Sequence, residues 1–234
     1  MKNITTAAEA VAQIHDGATV LIGGFGGSGA PIELIHALID HGAKDLVVVN
    51  NNAGTGDVGL AALIRRRRVR KMICSFPRSS DPRAFHELYN AGEIELEVVP
   101  QGTLAERLRA GGSGVRAFYT RTSVGTPIAE GKESREFDGK TYVMEPWIRG
   151  DFALVKAERA DPYGNLTFRK SARNFGPVMC MAAKHTIVQA SEIVPLGEMD
   201  PEVVVTPGIF VQTLVHVPNP AQEELLIRSG ASYE

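Results

Sequence analysis

Residues 16–31 read DGATVLIGGFGGSGAP, a short apolar run that falls into a string of glycines and ends at Pro31. Residues 18–22 read as a buried strand. The amphipathic segment 31–41 reads as a helix, with Pro31 at its first position and Gly42 just past its end. Strand, glycine loop and helix in that order open an α/β unit. Such glycines let backbone N–H groups approach an anion, and the helix start adds its positive dipole end.

The pattern continues outward from this unit. Thr6-Ala7-Ala8-Glu9 is a capping box, opening a helix expected to run to Gly17. Strands are expected at 46–49, 71–74 and 94–99. Helices are expected at 58–66, 82–91 and 103–110, the last closed by the glycines between Gly111 and Gly114. Continuous apolar strands alternating with helices argue for an open, mostly parallel sheet with helices on both faces. REFDGKTYVM, 135–144, reads as a hairpin around Asp138-Gly139, and ADPYGNLTF, 160–168, as a second tight turn, together an antiparallel insert. Helix and strand then return at 177–184 and 186–189. The expected organisation is one α/β domain over 1–217 and a polar C-terminal tail over 218–234 with one short helix.

A chain of 234 residues that is 44% hydrophobic has ample core for one large α/β domain. Its net charge of −2 gives no footprint for nucleic acid or an anionic membrane surface. Arg65-Arg66-Arg67-Arg68 is the one basic cluster, read either as a solvated helix end or as a grip on a phosphate-bearing ligand. Cys74 and Cys180 lack the spacing of a redox pair or metal knuckle, and read as buried reduced thiols. The N-terminus has no signal-peptide core and no apolar run reaches membrane-spanning length, so the expectation is a soluble, cytoplasmic protein.

Gly24-Phe25-Gly26-Gly27-Ser28-Gly29 fits the dinucleotide fingerprint G-x-G-x-x-G. That reading needs an acidic residue at the end of the next strand, about twenty positions on, to hold a ribose. Asn50-Asn51-Asn52 stands there instead. Gly26-Gly27-Ser28-Gly29-Ala30 nearly spells a hydrolase nucleophile elbow, but ends in alanine, and His185 and His216 are isolated.

Ligands bind outside the carboxyl ends of the strands in an open parallel sheet. Four loops, 23–29, 50–56, 75–81 and 100–102, should therefore meet at one edge. They carry amides, hydroxyls and one arginine, among them Asn51, Asn52, Ser75, Arg78 and Gln101, with Asp81 read as the cap of the following helix. Such donors suit a carbonyl oxygen that gains charge. Asn50 and Asn52 can equally serve the loop backbone. No nucleophile or acid/base pair accompanies them, so the pocket reads as half an active site.

The segment Val20-Leu21-Ile22-Gly23-Gly24-Phe25 with Gly29-Ala30-Pro31 resembles the first-subunit signature of the 3-oxoacid coenzyme A transferases. Asn51-Asn52-Ala53-Gly54, the block VPQGTLAER at 99–107 and GNLTFRKSARNF at 164–175 resemble the same family in the same order. The resemblance implies transfer of coenzyme A from an acyl-CoA, often succinyl-CoA, to a 3-oxo acid by a ping-pong route. It implies that the nucleophilic glutamate belongs to a partner, the second CoA-transferase subunit, in a Ser-Glu-Asn-Gly motif absent here, where Ser191-Glu192 is followed by Ile193. This chain would be the first subunit of a heterodimer or heterotetramer, with coenzyme A as a substrate and no tightly bound cofactor or metal.

Carried over by position, Gly23, Gly24, Phe25, Gly26, Gly27, Ser28 and Gly29 form the coenzyme A-binding loop. The alternative for that loop is tight packing of the sheet edge against the partner. Asn51 and Gln101 line the reaction centre as amide donors, and Asn52 lies on the substrate side. The sequence looks nearer to the members that act on 3-oxoadipate, from aromatic-ring breakdown, than to those that act on acetoacetate. Arg78 could pair with the second carboxylate of 3-oxoadipate. Sugar-phosphate isomerases and ligand sensors use similar α/β domains. A sensor needs an output module, of which no sign appears, and an isomerase needs its own acid/base carboxylate.

Overall fold

The computed structural model describes residues 1–233. In chain order the strands are β1 (Asn3–Thr5), β2 (Thr19–Ile22), β3 (Leu46–Val49), β4 (Val69–Cys74), β5 (Glu95–Val98) and β6 (Ala117–Thr120). They continue as β7 (Ser134–Phe137), β8 (Lys140–Pro146), β9 (Gly150–Ala160), β10 (Leu166–Thr167), β11 (Ala183–Ile193) and β12 (Thr213–His216). The helices are α1 (Ala7–Val11), α2 (Ile32–His41), α3 (Gly59–Arg65), α4 (Arg83–Asn90), α5 (Gln101–Ser113), α6 (Gly176–Ala182) and α7 (Glu223–Arg228).

A nine-stranded sheet has the order β1-β12-β11-β9-β2-β3-β4-β5, with β10 added against β9. Every pairing is parallel except that of β10 with β9. Side chains alternate between its faces with the period of the pleat. Val20, Ile22, Val48, Met72 and Leu154 enter one core with α1 to α4, while Leu21, Val49, Ile73 and Val155 enter the other with α5 and α6. The expected open, parallel, doubly covered sheet is what forms. The expected insert also forms, as a three-stranded antiparallel sheet β6-β8-β7. Asp138 and Gly139, at φ +50° and +67°, make its tight turn, a geometry that aspartate and glycine tolerate.

The chain winds outward from β2 to β5, then returns to place β9 on the other side of β2. The direction of winding therefore reverses between β2 and β9, where open α/β sheets leave a crevice. The last pairing of β2 is Ile22 with Leu154, while β9 runs on to Ala160 beside β11. One flank of β9 is thus left free beyond the glycine loop.

Several expected boundaries shift. The first helix stops at Val11 rather than reaching Gly17, although its capping box is present. Pro31 caps α2 instead of starting it, and Gly42 closes it in the left-handed conformation at φ +89°. The glycines after Ala110 do not end α5, which continues to Ser113. A Cβ on Gly111 would lie 2.0 Å from the Ile148 carbonyl oxygen, and one on Gly112 2.5 Å from Met181 Cβ. Those glycines bring α5 against its neighbours, and Gly114 is the cap.

Candidate functional site

A cavity of about 1550 Å³ opens at the carboxyl ends of the strands. Ordinary small-molecule pockets hold about 300–1,000 Å³, so this one suits an extended ligand. The four expected loops converge on it, through Gly26 to Gly29, Asn51, Ser75, Arg78 and Gln101.

The glycine loop is a hairpin turn rather than the nest that opens a dinucleotide-binding helix. Phe25 and Ser28 exchange backbone hydrogen bonds at 3.0 and 3.1 Å across Gly26-Gly27. Gly26, at φ +56°, takes the first turn position, which favours glycine. The N–H groups of Gly26, Gly27 and Gly29 have no partner among the described residues, so they remain donors for an incoming acceptor. Gly23 and Gly24 stand at the root of the turn, outside the cavity wall, where the Gly23 N–H still donates to Leu154 O at 2.9 Å. Phe25 lies at the cavity with its ring about half exposed.

The turn is buttressed by residues 169–174. Ser28 Oγ lies 3.0 Å from Ser171 Oγ, and Asn174 Nδ2 donates to Ser28 O at 3.0 Å. A Cβ on Gly29 would meet Ala172 O at 2.8 Å, so only glycine admits this approach. The hydroxyl of Ser28 thus has another hydroxyl beside it and no imidazole, which removes the hydrolase reading.

Asn51 sits at the centre of the four loops and is 5% exposed. Its Oδ1 accepts from Gln101 Nε2 at 2.9 Å and from Ser75 Oγ at 2.8 Å. Two donors on one oxygen fix the orientation of the amide. Asn51 Nδ2 has no partner among the described residues and lines the cavity as a positioned donor. Its neighbours serve the backbone. Asn50 Nδ2 donates to Ile22 O at 2.7 Å, and Asn52 Oδ1 accepts from Gly54 N at 2.8 Å. Asn52 retains only its own amide N–H groups for a ligand.

Arg78 is exposed at the cavity, with no ion pair among the described residues. The cavity also collects residues that the sequence reading missed: Lys156 and Glu158 from β9, Arg169 and Lys170 from the buttressing turn, and Glu223 and Arg228 from α7. The pair on β9 had a signal, since polar residues follow the apolar run Phe152 to Val155 at the carboxyl end of a strand. The polar C-terminal stretch carried none.

Arg65 to Arg68 lie outside the cavity wall. Arg65 pairs with Asp57 at 2.6 Å, Arg67 pairs with Glu93, and Arg68 donates to Gly42 O at 3.0 Å. They secure a helix end, not a phosphate. Both cysteines are buried and unpaired, with burial pushing each thiol up to about 12. Among the described residues no cluster suits a metal ion, and no helix is long and apolar enough to cross a membrane.

The family model for coenzyme A transferase matches residues 4–217. The first of the two subunits of the 3-oxoadipate CoA-transferase of Acinetobacter baylyi is 60% identical over 216 residues, covering 92% of this chain and 95% of that protein. The protein of the same name from Pseudomonas putida is 56% identical over 224 residues, covering 96% and 97%. An acyl-CoA transferase from Escherichia coli O157:H7, solved as a thioester complex with CoA, superposes with a TM-score of 0.83 at 24% identity. That superposition covers 94% of this chain and 50% of the longer one, and at this identity it speaks for the fold. The glycine turn, the oriented amide at the strand ends and the match over 4–217 agree, and the chain belongs to the coenzyme A transferase family.

Proposed function

We propose that this chain is the first subunit of a two-subunit enzyme that moves coenzyme A from succinyl-CoA to a 3-oxo acid, with 3-oxoadipate as the preferred acceptor. The observation that carries this reading is the Asn51 amide, held by Gln101 and Ser75 so that its N–H₂ faces the cavity with no acid/base partner beside it. Such a site stabilises charge on oxygen but supplies no nucleophile. The nucleophilic glutamate comes from the second subunit.

In this mechanism the partner's carboxylate adds to the thioester carbonyl, and the oxyanion collapses with loss of CoA thiolate to leave a mixed anhydride. The thiolate then attacks the glutamyl carbonyl, releasing succinate and leaving a glutamyl–CoA thioester. The 3-oxo acid reverses both steps. Asn51 Nδ2 donates to the oxyanion, and Gln101 holds Asn51 in register. The Gly26, Gly27 and Gly29 N–H groups receive acceptor atoms of the acyl-CoA. Asn52 contacts the acid, and Arg78 pairs with the second carboxylate of 3-oxoadipate, which acetoacetate lacks. Coenzyme A is a substrate, and no other cofactor is required. The assembly is a heterodimer or heterotetramer in the cytoplasm, a compartment consistent with two buried free thiols.

Co-purification with the product of the neighbouring gene tests this directly. The complex should transfer CoA from succinyl-CoA to 3-oxoadipate faster than to acetoacetate, and neither protein on its own should do so. Activity of this chain alone on a phosphosugar would favour an isomerase instead. A preference for acetoacetate would keep the reaction and reassign the acceptor.

A further inference from the structure

One wall of the cavity comes from a segment beyond the family match, which ends at residue 217. Residues 218–233 fold back over α2 and α3 and are held at both ends. Near the start, Glu33 Oε1 accepts from Ala221 N at 2.5 Å and Lys156 Nζ donates to Ala221 O at 3.1 Å. At the far end Tyr233 stacks on His36 with ring centroids 3.9 Å apart and donates to Asp40 at 2.7 Å. Between these anchors α7 turns Glu223, Ile227 and Arg228 to the cavity.

Glu223 is 7% exposed, yet it has no hydrogen bond or ion pair among the described residues. Room for it is made by two glycines. A Cβ on Gly27 would stand 3.3 Å from Glu223 Oε2, and one on Gly59 3.1 Å from Oε1. The charged groups on the surrounding elements are occupied elsewhere. Arg228 pairs with Glu224 at 2.5 Å, Lys156 and Glu33 hold Ala221, and Arg65 holds Asp57. His36 Nε2 accepts from Gly59 N at 3.0 Å, so its acceptor is spent on backbone. A carboxyl this buried and unpaired costs stability unless something completes it. It faces the cavity, so the completing group belongs to the ligand.

Taking the cavity as the acyl-CoA site, we propose that Glu223 binds the pantetheine arm of the substrate, accepting a hydrogen bond from one of its amide N–H groups. The C-terminal segment is then part of the substrate site and not an appendage. The other parts of coenzyme A fit less well against a carboxyl. Its phosphates are repelled by one and are better served by Arg78, Arg169 and Lys170, which line the same cavity without ion pairs among the described residues. The thioester belongs at Asn51. The amides of the arm are neutral donors that must cross the space between.

The test uses the two-subunit complex with succinyl-CoA and with succinyl-pantetheine, which keeps both amides and lacks the nucleotide. Glu223→Ala should raise KM for both thioesters about tenfold, the loss of one hydrogen bond to a charged group, with kcat little changed. Glu223→Gln, which retains an acceptor oxygen, should recover most of that loss. Both variants should melt no lower than wild type, because each removes a buried charge. A KM defect for succinyl-CoA alone would place the contact on the nucleotide and overturn the proposal. Unchanged KM in Glu223→Ala would overturn it as well, as would loss of stability in parallel with affinity. Absence of transfer by the wild-type complex would instead sink the reading of the cavity itself.

Discussion

Gln101 Nε2 donates to Asn51 Oδ1 at 2.9 Å, joining residues fifty positions apart at the carboxyl ends of two strands. The bond turns a flexible amide into a donor of fixed direction. Preorganised donors of this kind contribute most where charge develops during reaction, because they need no reorientation at that moment.

Asn51→Asp should therefore separate geometry from chemistry. Aspartate keeps the oxygen that accepts from Gln101 and Ser75 but loses the Nδ2 donor. The expected result is a fall in kcat of about 100-fold or more with KM for succinyl-CoA little changed. Gln101→Ala leaves Ser75 in place and should cost roughly tenfold, as loss of one positioning hydrogen bond. Steady-state kinetics of the complex checks both. A normal kcat in Asn51→Asp would remove Asn51 from the reaction.

The legible parts of this molecule are those set by local chemistry. The Thr6–Glu9 capping box, the left-handed Gly42 cap and the Asp138-Gly139 turn each depend on a few adjacent residues, and each forms where the pattern places it. Convergence of four loops follows from parallel topology alone. What escaped depends on distant partners. Strand β1 exists only because Asn3, Ile4 and Thr5 pair with Thr213, Leu214 and Val215. Glu223 reads as one more polar residue in a polar stretch until the fold carries it against Gly27 and Gly59.

Gly111 shows the same point in reverse, since a residue that stops helices here lies inside one. Gly111→Ala improves helix propensity by about 1 kcal/mol but drives a methyl group to 2.0 Å from Ile148 O. Overpacking against backbone should prevail, with a net loss of about 2–3 kcal/mol. For a chain of this size that lowers Tm by roughly 4–12 °C. Thermal melting of the complex measures it, and a raised Tm would show that α5 can shift freely.

Arg78 tests acceptor choice. It faces the cavity without an ion pair among the described residues, so a ligand carboxylate has no internal competitor for it. Arg78→Ala should lower kcat/KM for 3-oxoadipate about tenfold and leave acetoacetate nearly unaffected. Equal losses on both acids would make Arg78 a loop anchor, and unchanged selectivity would exclude it from recognition of the second carboxylate.

Glu223 also ties stability to pH. Burial pushes its carboxyl from the ordinary 4.5 up to about 7, with no nearby cation to offset the desolvation. A raised acid favours the folded state only while it is protonated. Below about 4.5 the folded and unfolded forms both hold the proton, and the group has no effect. Between about 4.5 and about 7 the unfolded chain releases its proton first, so stability falls as pH rises. Above about 7 the full cost is present, on the order of 3 kcal/mol. Glu223→Gln removes this dependence. Its Tm should exceed that of wild type by several degrees at pH 8.5, and the difference should shrink steadily toward pH 5. Saturating succinyl-CoA should narrow the gap at pH 8.5, since the substrate amide gives the ionised carboxylate the partner it lacks. A gap that stays constant across pH would mean the carboxyl does not titrate in this range.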